Sequence, residues 1–330
     1  MDYVDFGNTA MKVSVAGLGC GGNSRLGLGR DGCEADAVRL VCAAHDRGVN
    51  FFDTAAAYGT EAVLGKAVAE IGRQNMVIST KCLVRRKGER ITAADFSESV
   101  DNSLANMGIE TVDVFNLHGL HPRDYDYAYE TLLPVMIRAK ESGKIRHIGI
   151  SETSPGDPDQ EMLKRALTDP VWEAAMFAFH MLHQGARRNV FPLTMKHGVG
   201  TMLMFVVRNI FSQPDVLRDN IHALANRGAL PAELASQNEP LDFLLHDAGA
   251  RDLTDAAYRF ARHEPGTHVV LFGTSRIAHL DANIASILRP PLPEADRQSL
   301  RKLFGHLSGV GLDLPGPASR DGTPGVAKPT

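Results

Sequence analysis

The sequence predicts an α/β protein built as one (β/α)8 TIM barrel, and three observations carry that prediction. Eight strand-like segments alternate with helix-like ones from end to end. Several of the strand segments are nearly continuous apolar runs, as expected where helices cover both faces of a parallel sheet. No break in composition divides the chain. Its 330 residues (35.7 kDa) would fill two ordinary domains or one large barrel. The unbroken rhythm favours the barrel.

In chain order, Met1–Met11 can form a small hairpin across the barrel floor. The predicted strands are Lys12–Leu18, Asn50–Thr54, Met76–Lys81, Val112–Leu117, Ile145–Ser151, Ala174–Phe179, Gly200–Val207 and His268–Phe272. Between them, Thr60 can cap a helix carrying Val63, Leu64, Ala67, Val68 and Ile71, which Gly72 closes. Thr92-Ala-Ala-Asp95 reads as a capping box, and Phe96, Val100 and Leu104 follow at helical spacing up to Gly108. Residues 208–254 are a long insertion after the seventh strand, with a helix near Pro214–Arg227, and should hang over the C-terminal mouth. Barrel, hairpin and insertion together take residues 1–313. Residues 314–330 are a Pro/Gly-rich tail (Pro315, Pro317, Pro324, Pro329) without apolar period, docked on the surface or disordered.

Composition narrows the function classes. A net charge of −4 and a pI near 6.3 give no general attraction to nucleic acid or anionic lipid. The four cysteines, Cys20, Cys33, Cys42 and Cys82, show no paired spacing and are few for an extracellular framework. The N-terminus lacks a signal-peptide pattern, and no apolar run approaches the roughly 18 residues that span a bilayer. The expectation is a soluble cytoplasmic protein.

Two motifs mislead. Gly17-Leu-Gly19-Cys-Gly21-Gly22 has the form of a dinucleotide fingerprint, yet Asn23–Gly29 is loop chemistry where a helix should open. The glycines read instead as a tight turn at the barrel mouth. His263-Glu-Pro-Gly-Thr-His268 imitates a zinc motif, but Pro265 breaks any helix between the histidines. His118/His121 and His180/His183 lack a nearby third ligand, so no metal is expected.

The informative set lies at the ends of three consecutive strands: Asp53, with Tyr58 just beyond it, then Lys81 and His118. In a parallel barrel these ends converge on the face where chemistry is built. A free tyrosine has a pKa near 10 and donates poorly at neutral pH. A neighbouring ammonium should lower it, by about 2–3 units, and Lys81 can stay charged in a partly buried site only if Asp53 pairs with it. His118 can orient a carbonyl oxygen beside the phenol or assist the proton transfer. Such a site protonates an oxygen while something else delivers a hydride. Near the other end of the chain, Gly273-Thr-Ser-Arg276 opens a helix whose backbone N–H groups can hold a phosphate that Arg276 grips bidentately.

The sequence resembles the aldo-keto reductase superfamily from about Phe6 to Leu307. The resemblance rests on Gly48-Val-Asn-Phe-Phe-Asp-Thr-Ala55, Ile78-Ser-Thr-Lys81, Val112-Asp-Val-Phe-Asn-Leu-His118, Gly143-Lys-Ile-Arg-His-Ile-Gly-Ile-Ser151 and Gly273-Thr-Ser-Arg276. It implies an NAD(P)H-dependent oxidoreductase of the alcohol dehydrogenase type. Tyr58 would be the general acid, with Asp53, Lys81 and His118 as its tetrad partners. It further implies that Ser151 meets the nicotinamide carboxamide and that Met204 or Phe205 stands where an aromatic stacks on the ring. Gly273, Thr274, Ser275 and Arg276 would hold the adenosine 2′-phosphate region, and His279 and Asn283 would lie by the adenine. Gly19 and Arg208 complete the expected cofactor contacts. NADP(H) is favoured, and NAD(H) stays open. The family commonly has Asn and Gln where this chain has Glu152 and Met176, which points to a distinct subgroup. The expected partner is a small carbonyl or alcohol; a nucleotide-sensing regulatory relative with little turnover is the alternative.

Overall fold

The structure, a computed structural model, describes residues 1–22, 24–29 and 32–312; the tail expected over 314–330 lies outside the described residues. Strands β1 (Tyr3–Asp5) and β2 (Lys12–Ser14) pair as an antiparallel hairpin. The segment predicted as one strand, Lys12–Leu18, is therefore two, because the first barrel strand, β3 (Ala16–Gly19), starts after a break at Val15. Ser14 makes that break: its hydroxyl donates to the Ala16 carbonyl (2.7 Å), and its N–H donates to Asn50 Oδ1 (2.7 Å) instead of continuing a ladder.

The other barrel strands are β4 (Phe51–Asp53), β5 (Val77–Leu83), β8 (Val112–Leu120), β9 (Ile145–Glu152), β10 (Ala174–Ala178), β11 (Gly200–Met204) and β12 (Val269–Phe272). All pair in parallel and close in the order β10-β11-β12-β3-β4-β5-β8-β9. A second small hairpin, β6 (Arg85–Arg86) with β7 (Glu89–Arg90), stands beyond β5. Strands β5 and β8 outrun their predicted ends by two and three residues. Lys81 and His118 thus sit inside their strands, one pleat below the rim.

The barrel floor is plugged from below. Phe6, just after β1, is fully buried with its ring 5.6 Å from that of Phe51, in a cluster with Val114, Met176, Met202 and Val269. Gly200 makes room for it, since a Cβ there would lie 2.5 Å from the Phe6 ring. The apolar lower layers leave polar residues to gather at the top.

Outside the barrel, the capping box at Thr92 forms as expected: its hydroxyl accepts from the Asp95 N–H, the Asp95 carboxylate accepts from the Thr92 N–H, and Gly108 caps the far end in the left-handed conformation. Thr60 behaves otherwise. Its side chain caps nothing and instead shares a hydrogen bond with the buried Thr54 hydroxyl (2.9 Å), because both are buried side by side. The insertion carries a helix over Pro214–Asn226 whose Leu217, Ile221 and Leu224 face inward. No helix among the described residues is long and apolar enough to cross a membrane.

Candidate active site

The period-two alternation of β5 aims Ser79 and Lys81 into the barrel, and that of β8 aims Asn116 and His118. The register then sets their neighbours: Asp53 lies opposite Ser79, Lys81 opposite Asn116, and Leu83 opposite His118. Tyr58 is delivered from beyond β4 by a short 3-10 turn, Ala56–Tyr58, that Gly59 closes at φ 69°. The loop after β3 seats the ring. A Cβ on Gly21 would lie 2.4 Å from it, so only glycine lets the two backbones approach this closely.

The four side chains predicted to act together do meet. Lys81, fully buried, donates to Asp53 Oδ2 (2.7 Å) and to the Thr54 carbonyl (2.6 Å). Its ammonium lies 4.7 Å from the centre of the Tyr58 ring. The Tyr58 hydroxyl is 3.5 Å from His118 Nε2, and the two rings meet edge to face. Burial works against the Lys81 ammonium, but Asp53 and Tyr58 outweigh it and raise its pKa. Burial and the Lys81 charge together hold His118 down to about 3, so the imidazole is neutral.

One expectation about Tyr58 is overturned. The sequence suggested that Lys81 would lower the phenol's pKa, whereas the structure places it above the usual value. Burial raises it more than the ammonium lowers it. The resting site is therefore a neutral O–H donor beside a neutral imidazole, with a charge pair beneath. The ammonium exerts its full effect only when the phenol has given up its proton.

A cleft of about 710 Å³ runs away from Asp53 and Tyr58, a size ordinary for small-molecule sites. Of the predicted cofactor contacts, Gly19, Met204, Phe205, Arg208, Gly273, Thr274, Ser275, His279 and Asn283 all line it. Met176, Leu271 and Phe272 add apolar surface to its walls. Phe205 holds a left-handed backbone (φ 60°), a strained state for an aromatic residue, and the Arg208 guanidinium lies 4.3 Å from its ring centre.

Two predicted contacts fall elsewhere. Ser151 is buried at the end of β9 with its hydroxyl turned to the Glu152 carbonyl (3.3 Å), and it does not line the cleft. Arg276 borders an adjoining cavity of about 380 Å³ with Gly27, Arg39 and Ser275. It is exposed and makes no ion pair with a described residue. Arg39 is tied to Asp36. Thr274 Oγ1 accepts the Arg276 N–H, and Leu280 is the first to bond back to Arg276, so the N–H groups of Ile277, Ala278 and His279 open the Ile277–Ile287 helix unpaired within it.

Sequence reasoning missed Gly21, Ser24, Asp252 and Tyr258 in the cleft wall. The first two belong to the loop after Gly19, which the sequence places at the barrel mouth without assigning either residue a role. Asp252 caps the helix starting at Leu253 by accepting the Asp255 N–H (2.8 Å), a cap signal that the insertion hid. His180 and His183 are buried and each accepts a backbone N–H at Nδ1. No group of three or more metal-ligating side chains occurs among the described residues.

The chain and its fold have relatives among known proteins. The aldo/keto reductase family model matches residues 18–304. A probable aldo-keto reductase of Glycine max is 27% identical over 314 residues, which cover 91% of this chain and 87% of that protein. L-galactose dehydrogenase of Arabidopsis thaliana is 30% identical over 202 residues, but the match spans only 59% of this chain and 62% of the plant enzyme. Among solved structures, the holo form of the aldo-keto reductase AKR11C1 from Bacillus halodurans superposes with a TM-score of 0.69 at 25% identity, covering 92% of this chain and 96% of that one.

Proposed function

The chain belongs to the aldo/keto reductase family, and from that premise we propose that it moves a hydride between NAD(P)H and a small carbonyl or alcohol, with Tyr58 as the proton donor and acceptor. The observation that carries the reading is the buried Lys81–Asp53 pair under Tyr58 and His118. Such a pair costs several kcal/mol to desolvate, and a merely structural role would be served as well by apolar residues.

The residues fit a nicotinamide cofactor. Thioether and aromatic side chains line the cleft that leads away from Tyr58, and the far wall carries the start of the Ile277–Ile287 helix, whose open N–H groups suit a phosphate. Met204 and Phe205 would lie against the nicotinamide, and Gly273, Thr274, Ser275, His279 and Asn283 would hold the adenosine half. When bound, the cofactor supplies the hydride. Tyr58 and His118 hold the substrate oxygen between them, and Tyr58 gives it a proton. Lys81 stabilises the phenolate left behind, and Asp53 keeps Lys81 charged. Asp53, Lys81 and His118 are the tetrad partners of this reading.

Arg276 supports a preference for NADPH: an exposed guanidinium without an ion partner among the described residues is suited to a 2′-phosphate. All four cysteines are free, which agrees with a reducing, cytoplasmic setting. Fluorescence titration with NADPH and NADH, followed by turnover against a panel of aldehydes, ketones and sugars, tests the proposal. Micromolar binding, tighter for NADPH, together with turnover supports it. Tight binding with no turnover of any panel member points instead to a nucleotide-sensing relative, and no binding below millimolar overturns both.

A further inference from the structure

Two polar side chains inside the barrel are not accounted for by the proton-donor site above them. Ser79 and Asn116 are fully buried, each two residues before a member of the site and on the same strand face. Their hydrogen bonds have a fixed polarity. Asn116 Nδ2 lies 3.1 Å from the Thr80 carbonyl, which can only accept, so the amide must present its NH2 group on that side. The same nitrogen therefore donates to Ser79 Oγ (3.0 Å). A hydroxyl has one proton, and with its oxygen already accepting, Ser79 directs that proton to Asp53 Oδ1 (2.9 Å). Asp53 Oδ2 accepts from Lys81 (2.7 Å). The chain of bonds runs one way, from Asn116 to an acceptor at Asp53.

The arrangement costs stability. Asn116 Oδ1 is buried and has no hydrogen-bond partner among the described residues, and such an orphan is expensive. The opposite residue on β9, Gly149, has no room for a side chain, because a Cβ there would lie 2.1 Å from that same oxygen. An aliphatic residue at 116 would leave no such orphan. Retaining the amide makes sense if its other end acts on the site.

We infer that Asn116 and Ser79 are positioning residues of the proton-donor site, holding Asp53 as an oriented carboxylate so that Lys81 stays an ammonium beneath Tyr58. The inference rests on the reading of Tyr58 as the proton donor. Among the described residues, the titratable groups facing Asp53 are the Lys81 ammonium from β5, the buried Cys20 thiol after β3 and the Tyr58 phenol, with the neutral His118 of β8 feeling Lys81. Burial pushes the Asp53 carboxyl upward, and both Lys81 and Ser79 oppose that push. Removing the Ser79 bond leaves Lys81 to hold the carboxylate alone.

The test is a carbon-13 NMR titration of protein labelled at aspartate, with the Asp53 signal assigned by its loss in Asp53→Asn. In Ser79→Ala and Asn116→Leu the Asp53 midpoint should rise by about one pH unit, and Ser79→Thr, which keeps the hydroxyl, should restore it. Turnover of 4-nitrobenzaldehyde with NADPH should fall about tenfold in kcat with KM within threefold. An Asp53 midpoint unchanged in both variants overturns the inference, even if their melting temperatures drop. Should Ser79→Ala fail to fold, Asn116→Leu alone decides. Tyr58→Phe separates the two claims: full turnover there sinks the proton-donor reading, whereas a loss there with an unmoved Asp53 midpoint sinks only the positioning role.

Discussion

Glu152 shows what one buried side chain can cost. It follows Ser151 at the end of β9 and is 2% exposed. One carboxyl oxygen accepts the Ala178 N–H (2.7 Å); the other makes no hydrogen bond of normal geometry with a described residue, and the nearby Gln160 amide only partly offsets its burial. Burial is the main cause that pushes its pKa up to about 8, with Asp157 adding to the rise. The folded protein thus holds a proton there that the unfolded chain, with an ordinary carboxyl near 4.3, releases. The sign follows: stability from this group is full below about pH 4, declines as pH rises, and is gone above about pH 8. Glu152→Gln keeps the donor and the acceptor without the ionisation. The melting temperature of the variant should therefore exceed that of the parent by a margin that grows from pH 5 to 8 and then levels. A constant margin across that range would show that Glu152 does not ionise with the fold. The sequence could reveal that a carboxyl replaces the family's amide here, but not that it is buried and protonated.

At the level of elements, the loop after β3 and the turn after β4 form one unit. Gly21 lies against the Tyr58 ring, and a Cβ there would overlap it at 2.4 Å. Gly21→Ala must push the phenol away from Lys81 and His118 while leaving the barrel strands untouched. Misplacement by about 1 Å can cost 10²-fold in rate, so kcat should fall by about that factor with NADPH affinity within a few-fold. A parental kcat would show that the loop does not seat Tyr58.

Elements also mark how much was legible. Asp53, Lys81 and His118 stand out in sequence because a charged or polar residue closes each apolar run. Ser79 and Asn116 do not, since one polar residue inside such a run is invisible until the register shows what it faces. The break at Val15 depended on a Ser14–Asn50 contact between strands, which no local pattern encodes. The direction of the Tyr58 shift is hidden in the sequence for a related reason. An adjacent ammonium can be inferred from sequence, but the burial that outweighs it cannot.

Across the whole molecule, the barrel separates stability from chemistry. Phe6 and its apolar neighbours fill the floor, polar groups collect at the other end of the same strands, and the cleft opens away from Tyr58 toward the helix that follows β12. A net charge of −4 is compatible with binding an anionic cofactor, because a local guanidinium and a helix start act at short range, where overall charge is screened. At the head of that cleft, the proposed chemistry turns on Tyr58 as the group that moves the proton. Its most direct test is turnover of a reactive aldehyde by Tyr58→Phe beside the parent, with NADPH affinity measured on both. Affinity should be unchanged and the rate lower by about 10²-fold or more; a variant that binds NADPH and reduces the aldehyde at the parental rate would rule Tyr58 out as the proton donor.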